Sequence, residues 1–184
     1  MKFLVTGSSG FIGSQLALRL SSNPSFLVLG LDLVKNGHLA NNFDFLPCDP
    51  LGKWKESLQK FSPDIVFHCA AQTDVRKSMS HPTFDAEQNI MFTLQLLEAL
   101  SNHSLEKIIY LNSGGAIYDQ NQRPPFSENS TTKPNSNYGV SKLAAEMYIR
   151  IFCQNRSVKW TSLALSNVYG PLEINRKGIL YELA

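Results

Sequence analysis

Apolar and polar positions alternate in blocks along the chain. Continuous apolar runs of strand length occupy 2–6, 25–31, 64–69, 107–111 and 159–165, and a shorter run over 43–47 reads as an edge strand. Between them, apolar residues recur three and four apart, the spacing of one helix face. Leu16, Ala17 and Leu20 mark a helix over 13–21, which stops before Ser22-Asn23-Pro24. Leu51, Trp54, Leu58 and Phe61 share a face over 51–61, closed by Pro63. Pro82 suits the first turn of a long helix over 82–101, with Ile90, Met91, Leu94 and Leu97 as its stripe. A last helix covers 137–153. The stretch 112–137 is polar and rich in Pro and Asn, too long for a mere connector, and reads as a functional loop. Strands with unbroken apolar runs, alternating with helices, predict an α/β fold: a doubly wound parallel sheet with helices on both faces.

Composition narrows the function. The 184 residues are 43% hydrophobic and 17% charged, which suits one packed domain and excludes a disordered chain. Seventeen Lys+Arg against fifteen Asp+Glu leave a net charge of +2, so nothing draws the chain to nucleic acid or an anionic membrane. No apolar run approaches the ~20 residues that span a bilayer. The N-terminus runs from Met1-Lys2-Phe3-Leu4-Val5 straight into Thr6-Gly7-Ser8-Ser9-Gly10, without a secretory pattern. Cys48, Cys69 and Cys153 are odd in number and widely spaced, which predicts reduced thiols and a cytoplasmic location rather than a disulfide framework or a zinc site. His38, His81 and His103 have no metal-ligand spacing around them, and no metal is expected. His68 lies inside a strand and reads as structural; Trp54 and Trp160 read as packing residues.

The first strand leads into Thr6-Gly7-Ser8-Ser9-Gly10-Phe11-Ile12-Gly13. Gly7 allows a tight turn, Gly10 lets backbone approach a pyrophosphate, and Gly13 lets the helix pack on the strand. The N-terminus of that helix offers unpaired N–H groups to the anion. The next strand is followed by Asp32, whose carboxylate can accept from both ribose hydroxyls of an adenosine and would repel a 2′-phosphate. The expected cofactor is therefore NAD rather than NADP. Asp49 either contacts the adenine amino group or forms the turn before Pro50. Arg76-Lys77 either faces a diphosphate or is a solvated basic pair.

Tyr138-Gly139-Val140-Ser141-Lys142 sets a phenol and an ammonium four residues apart, on one face at the start of a helix. A nearby ammonium favours the phenolate, so Lys142 is expected to lower the pKa of Tyr138 and make it an acid/base for an alcohol. Lys142 is also placed to hydrogen-bond the nicotinamide ribose.

With these motifs the sequence resembles the extended short-chain dehydrogenase/reductases, and within them the NAD-dependent nucleotide-sugar epimerases and dehydratases, the UDP-glucose 4-epimerase type above all. His68-Cys69-Ala70-Ala71-Gln72, Asn89, Ser113-Gly114-Gly115-Ala116-Ile117-Tyr118 and Asn167-Val168-Tyr169-Gly170-Pro171 extend the likeness in the family's order. The resemblance implies a Rossmann-like domain over 1–170, with 171–184 the start of a truncated substrate-binding region. It implies Tyr138 as acid/base with Lys142 its partner. Ala70, Ala71 and Gln72 would border the pyrophosphate, and Asn89 would support the site or contact NAD. Asn167 would face the substrate. The third catalytic hydroxyl aligns with Gly114 in some members and one residue earlier in others, which points to Ser113. Dehydratases carry an Asp-Glu pair just beyond that hydroxyl; Gly115-Ala116 stand here, which disfavours elimination. The family's dimers form through helices corresponding to 82–101 and 137–153. Tyr148, Ile149 and Phe152 suit such a homodimer, or complete the monomer's own core.

The implied function is NAD-dependent epimerisation of a nucleotide-sugar, a UDP-hexose foremost, by transient oxidation and hydride return. A dinucleotide-binding module without turnover, or a dehydratase or reductase of the same superfamily, is the alternative.

Overall fold

The computed structural model describes residues 1–35, 42–49, 52–100 and 105–170. His38, Leu51, Ser101, His103, Pro171 and the proposed second region over 171–184 lie outside the described residues.

Strands β1 (Lys2–Thr6), β2 (Leu27–Asp32), β3 (Asp44–Pro47), β4 (Ile65–His68), β5 (Lys107–Ser113) and β6 (Lys159–Leu165) form one sheet in the order β3-β2-β1-β4-β5-β6. Every neighbouring pair is parallel. Parallel neighbours require crossovers, and helices supply them: α1 (Phe11–Ser21), α2 (Trp54–Phe61), α3 (Val75–Ser80), α4 (Pro82–Ala86), a π-helical turn (Glu87–Met91), α5 (Phe92–Ala99), α6 (Gly114–Ile117) and α7 (Asn137–Arg156). The chain winds outward from β1 to β3 on one side and from β4 to β6 on the other. That reversal opens a crevice at the carboxyl ends of β1 and β4, where ligands of such sheets bind.

Alternation along β1 divides the core. Phe3 and Val5 point to one face and pack with Ala17 of α1 and Val28. Leu4 points to the other, into a larger cluster with Trp54, Leu58, Val66, Leu96, Ile108, Ile149 and Cys153. Helices thus cover both faces. Trp54 is core, as expected, and Trp160 packs partly buried against the same cluster.

The predicted elements are all present, with differences that have physical causes. The helix expected over 82–101 runs through Pro82–Ala86, Glu87–Met91 and Phe92–Ala99 without a break and contains the π turn. Its first half turns Asp85, Asn89 and Thr93 inward, while its second half buries Leu96, Leu97 and Ala99, so of the expected stripe only Leu97 is fully buried. Met91 is 48% exposed, while Leu97 is buried. The π turn takes up an extra residue and so changes which side chains face inward. The stretch 112–137 is not a bare loop. It contains the end of β5, the short α6 and an antiparallel bridge between Tyr118 and Thr132. Helix α3 was not anticipated. Asp74 opens it by accepting from the Lys77 N–H at 2.9 Å, an N-cap of ordinary type.

Candidate active site

Gly7 takes a left-handed conformation (φ 69°), and a Cβ there would lie 2.8 Å from the Ala70 nitrogen. A Cβ on Gly13 would strike the Gly7 carbonyl oxygen. The turn is closed by Gly10 N–H donating to the Gly7 carbonyl at 2.9 Å. Gly10 then caps α1 without a side-chain acceptor, and no acidic residue stands in the first turn. The helix therefore presents bare N–H groups and its positive end. They open on a cleft of about 540 Å³ lined by Gly7, Gly10, Phe11, Ile12, Gly13, Asp32, Ala70, Ala71 and Gln72. A pyrophosphate fits this uncapped terminus, and the turn that presents it has no room for a Cβ at Gly7 or Gly13.

Asp32 stands at the rim. Its carboxylate accepts from Ser9 N–H at 2.8 Å and Leu33 N–H at 2.7 Å. A carboxylate has about four acceptor sites, so capacity remains for ribose hydroxyls. Asp49 does not line the cleft. It accepts from Trp54 N–H at 3.2 Å and Lys53 N–H at 3.4 Å, at the start of α2. Of the two roles weighed for it, this geometry matches the turn-forming one. Lys77 lines the cleft, with its ammonium 4.0 Å from the Phe84 ring centroid.

Beneath the cleft floor runs a chain of buried polar groups. Thr6 Oγ1 accepts from Ala70 N–H at 3.1 Å and pairs with His68 Nδ1 at 2.8 Å. His68 Nε2 pairs with Thr93 Oγ1 at 2.9 Å, and Thr93 donates to the Asn89 carbonyl at 2.6 Å. Asn89 Oδ1 accepts from Gln72 N–H at 2.8 Å, and its Nδ2 donates to the Gln72 carbonyl at 3.1 Å. Asn89 thus holds the cleft lip from below and does not line the cleft itself. His68 is structural, as expected: burial, and secondarily the Lys142 charge, pushes its pKa down to about 3.

Helix α7 carries the predicted catalytic pair. Ser136 caps it by accepting from Gly139 N–H at 3.1 Å. Ser78 of α3 fixes its first turn: its hydroxyl accepts from Tyr138 N–H at 3.1 Å, and its carbonyl accepts from Asn137 Nδ2 at 3.0 Å. Tyr138 is buried, and the Ser113 side chain is one of the groups that act on its phenol, favouring the phenolate.

The expected depression of the Tyr138 pKa by Lys142 does not occur in this structure. Burial raises it, the Ser113 hydrogen bond pulls it down, and the Asp85 charge raises it. Lys142 turns elsewhere. Its Nζ donates to the Leu111 carbonyl at 2.7 Å and lies 4.2 Å from the Tyr110 ring centroid. Burial pushes Lys142 down to about 7, opposed by Cys69, Asp85 and Glu146. Cys69 lines the cleft and feels the Lys142 charge in return, so the ammonium lies just under the floor; burial holds that thiol up at about 12.

Asn167 lies apart from the dinucleotide cleft. With Gly114, Gly115, Tyr118, Glu146 and Trp160 it lines a second cleft of about 780 Å³ beside β5 and β6. The chain then returns toward the glycine turn, and a Cβ on Gly170 would be 3.8 Å from the Phe11 ring.

The sequence reading passed over Ser78, Asp85, Ser141 and Glu146. Ser78 and Asp85 carry no motif. Ser141 lies inside the Tyr-to-Lys spacing, and Glu146 follows Lys142 by one helical turn. Of the residues proposed for a dimer face, Ile149 is core and Phe152 packs against it, leaving Tyr148 exposed. Val140, Met147 and Ile151 of α7 are exposed beside it.

The sequence profile of the NAD dependent epimerase/dehydratase family matches residues 3–181. The chain belongs to this family. A UDP-glucose 4-epimerase of Mycolicibacterium smegmatis is 36% identical over 180 residues, a match that covers 93% of this chain and 57% of that protein. Among solved structures, the UDP-glucose 4-epimerase of Thermotoga maritima with UDP-glucose has a TM-score of 0.83 and 35% identity, over 93% of this chain and 57% of that one. The Thermus thermophilus UDP-glucose 4-epimerase complexed with NAD has a TM-score of 0.83 and 34% identity, over 94% and 57%. The chain thus spans about 57% of the length of these relatives. Ser113, Tyr138 and Lys142 line neither of the two clefts; the inward side of helix α7 is buried and is joined to the dinucleotide cleft's lip at Gln72 through Asp85 and Ser141. Among the described residues no cluster of His, Cys, Asp or Glu is arranged to hold a metal, and no helix is long and apolar enough to cross a membrane.

Proposed function

We propose that this chain is the dinucleotide-binding and catalytic part of an NAD-dependent epimerase acting on a nucleotide-sugar, a UDP-hexose foremost. The observation that carries this reading is the uncapped glycine turn that opens on a cleft with Asp32 at its rim. Residues 1–170 form the NAD-binding unit. Gly7, Gly10, Phe11, Ile12 and Gly13 would cradle the pyrophosphate, Asp32 the adenosine ribose, and Ala70, Ala71 and Gln72 the opposite side. The chemistry supplied by the dinucleotide when bound is reversible oxidation of the sugar carbinol.

The protein's part is proton transfer and orientation. Tyr138 takes the hydroxyl proton as the carbinol becomes a ketone, and returns it after the ketosugar has turned over. Ser113 steadies the same oxygen. Lys142, held by the Leu111 carbonyl, would supply a buried donor and charge to the reacting end of the site. Asn167 would meet the substrate from the second cleft. No carboxylate stands at Gly115 or Ala116, so the proton needed for elimination of water has no donor there.

The apolar face of Val140, Met147, Tyr148 and Ile151, with Met91 of the π turn, supports pairing of two copies through these helices. The free thiols Cys48, Cys69 and Cys153 support a cytoplasmic location.

Interconversion of UDP-glucose and UDP-galactose, with NAD present, tests the activity. Tyr138→Phe is expected to lower kcat by about 10³-fold while NAD binding by calorimetry stays within about twofold. Equal turnover by the variant would remove the mechanism. NAD binding without sugar conversion by the wild-type chain would leave a binding module.

A further inference from the structure

Asp85 lines neither cleft and is 1% exposed. A carboxylate at that depth is tolerated only when its acceptor sites are filled. Three side-chain donors fill them, all neutral. Gln72 Nε2 donates to Oδ1 at 2.8 Å and Asn89 Nδ2 to the same oxygen at 3.2 Å. Ser141 Oγ donates to Oδ2 at 2.6 Å. The first comes from the lip of the dinucleotide cleft. The last comes from α7, between Tyr138 and Lys142. Asn89 closes the triangle by donating to Ser141 Oγ at 3.2 Å.

We propose that Asp85 is a positioning residue: its carboxylate clamps the cleft lip at Gln72 to helix α7 at Ser141, and so sets Tyr138 and Lys142 against the cofactor. The proposal rests on the epimerase reading for its link to turnover, but the clamp itself is a property of the fold. Neutral donors leave the Asp85 charge uncancelled by direct contact, so its field reaches the catalytic pair. The ionisable groups facing Lys142 come from four directions. Cys69 and His68 lie at the end of β4, Tyr110 on β5, Asp85 on α4, and Glu146 with Tyr138 on α7 itself. The carboxylates among them are Asp85 and Glu146, and both favour the charged lysine. Asp85 also opposes the Tyr138 phenolate. One buried charge therefore biases both members of the pair toward their protonated forms.

Asp85→Asn separates charge from shape. An asparagine oxygen can accept from Gln72 and Asn89, and its amide can donate to Ser141, so the clamp keeps its bonds and loses its charge. Asp85→Ala removes both. Lysine labelled with ¹³C at Cε reads the charge directly, with Lys142→Met assigning the signal. Lys142 is expected to titrate near pH 7 in the wild type, and about half a unit to one unit lower in Asp85→Asn.

With UDP-glucose and NAD as probes, kcat is expected to fall about tenfold in Asp85→Asn and about a hundredfold in Asp85→Ala. KM for UDP-glucose should stay within about twofold, because Asp85 does not line the substrate side. Wild-type titration of Lys142 in Asp85→Asn together with wild-type kcat in Asp85→Ala would overturn the proposal. If the wild-type chain converts no UDP-glucose, the activity reading fails by itself. The lysine titration then still decides Asp85: a midpoint in Asp85→Ala displaced beyond that of Asp85→Asn upholds the clamp, and equal midpoints in the two variants remove it.

Discussion

The two walls of the crevice are built by different means. The wall formed by β1, the glycine turn and α1 is made of backbone: a left-handed Gly7, a bare helix end, and amides that need no side chain. The wall to which α4 and the π turn contribute Phe84 and Gln88 is backed by side chains from well-separated stretches, with Gln72, Asp85, Asn89 and Ser141 of α7 meeting in one buried network. A backbone site tolerates almost no added atoms but asks little of distant residues. A side-chain network tolerates isosteric change but fails when any member leaves a partner unpaired, at about 1–3 kcal/mol for each buried group stranded.

Gly13→Val attacks the backbone wall and is expected to have the largest effect among the predictions that sharpen this contrast. Its side chain meets the Gly7 carbonyl and the Ser8 nitrogen, which are main-chain atoms with nowhere to move. Calorimetry should show NAD binding weakened more than a hundredfold, as the turn opens and α1 leaves its seat. Retention of wild-type affinity would mean that the turn does not need the close helix approach. A substitution of the same size on the exposed face of α7 should leave binding unchanged.

The same contrast explains what was legible from the amino-acid sequence. The glycine turn, Asp32 and the six strands lie in short local patterns, and local pattern is what periodicity and spacing report. Tyr138 and Lys142 were legible because one helical turn joins them. The apolar stripe assigned to Ile90, Met91, Leu94 and Leu97 holds at Leu97 and fails at Met91, since polar Asp85, Asn89 and Thr93 take the inward positions of the helix's first half. Hydrophobic period cannot reveal a helix that buries its polar side. Asp85 and Ser78 went unseen for a related reason: their partners are 56 and 60 residues away along the chain. The pKa of Tyr138 was misjudged because spacing shows that Lys142 shares its face, but not that the ammonium is drawn off to the Leu111 carbonyl.

His68 lets the side-chain wall be probed by acid. It is neutral between Thr6 and Thr93, with a folded pKa of about 3 against 6.5 in the unfolded chain. Between those values the unfolded state binds the extra proton, so stability falls as pH drops from 6.5 toward 3. Lys142 follows the same sign in its own window: lowered to about 7 from 10.5, it makes stability rise with pH between those values. His68→Gln removes the first contribution alone. The wild type should lose roughly 5 °C more of Tm than the variant between pH 6.5 and 4. Parallel curves for the two proteins would show that His68 is not held neutral.

The smallest expected effect is also the one that separates two roles of a single residue on the backbone wall. Asp32 holds the glycine turn by accepting from Ser9 N–H, and it stands where an adenosine ribose would lie. If only the first role operates, Asp32→Ala should weaken NAD and NADP equally, because the turn serves the pyrophosphate common to both. If the carboxylate also meets the ribose, its removal deletes a repulsion that only the 2′-phosphate feels. The ratio of NAD to NADP affinity should then fall by about tenfold, the value of a little over one kcal/mol between charges at a solvated rim. Measured at two ionic strengths, the change in ratio should shrink at the higher salt, since an exposed charge pair is screened and a lost hydrogen bond to Ser9 is not. A ratio that stays at its wild-type value would confine Asp32 to holding the turn, and the preference for NAD would then need a source elsewhere in the cleft.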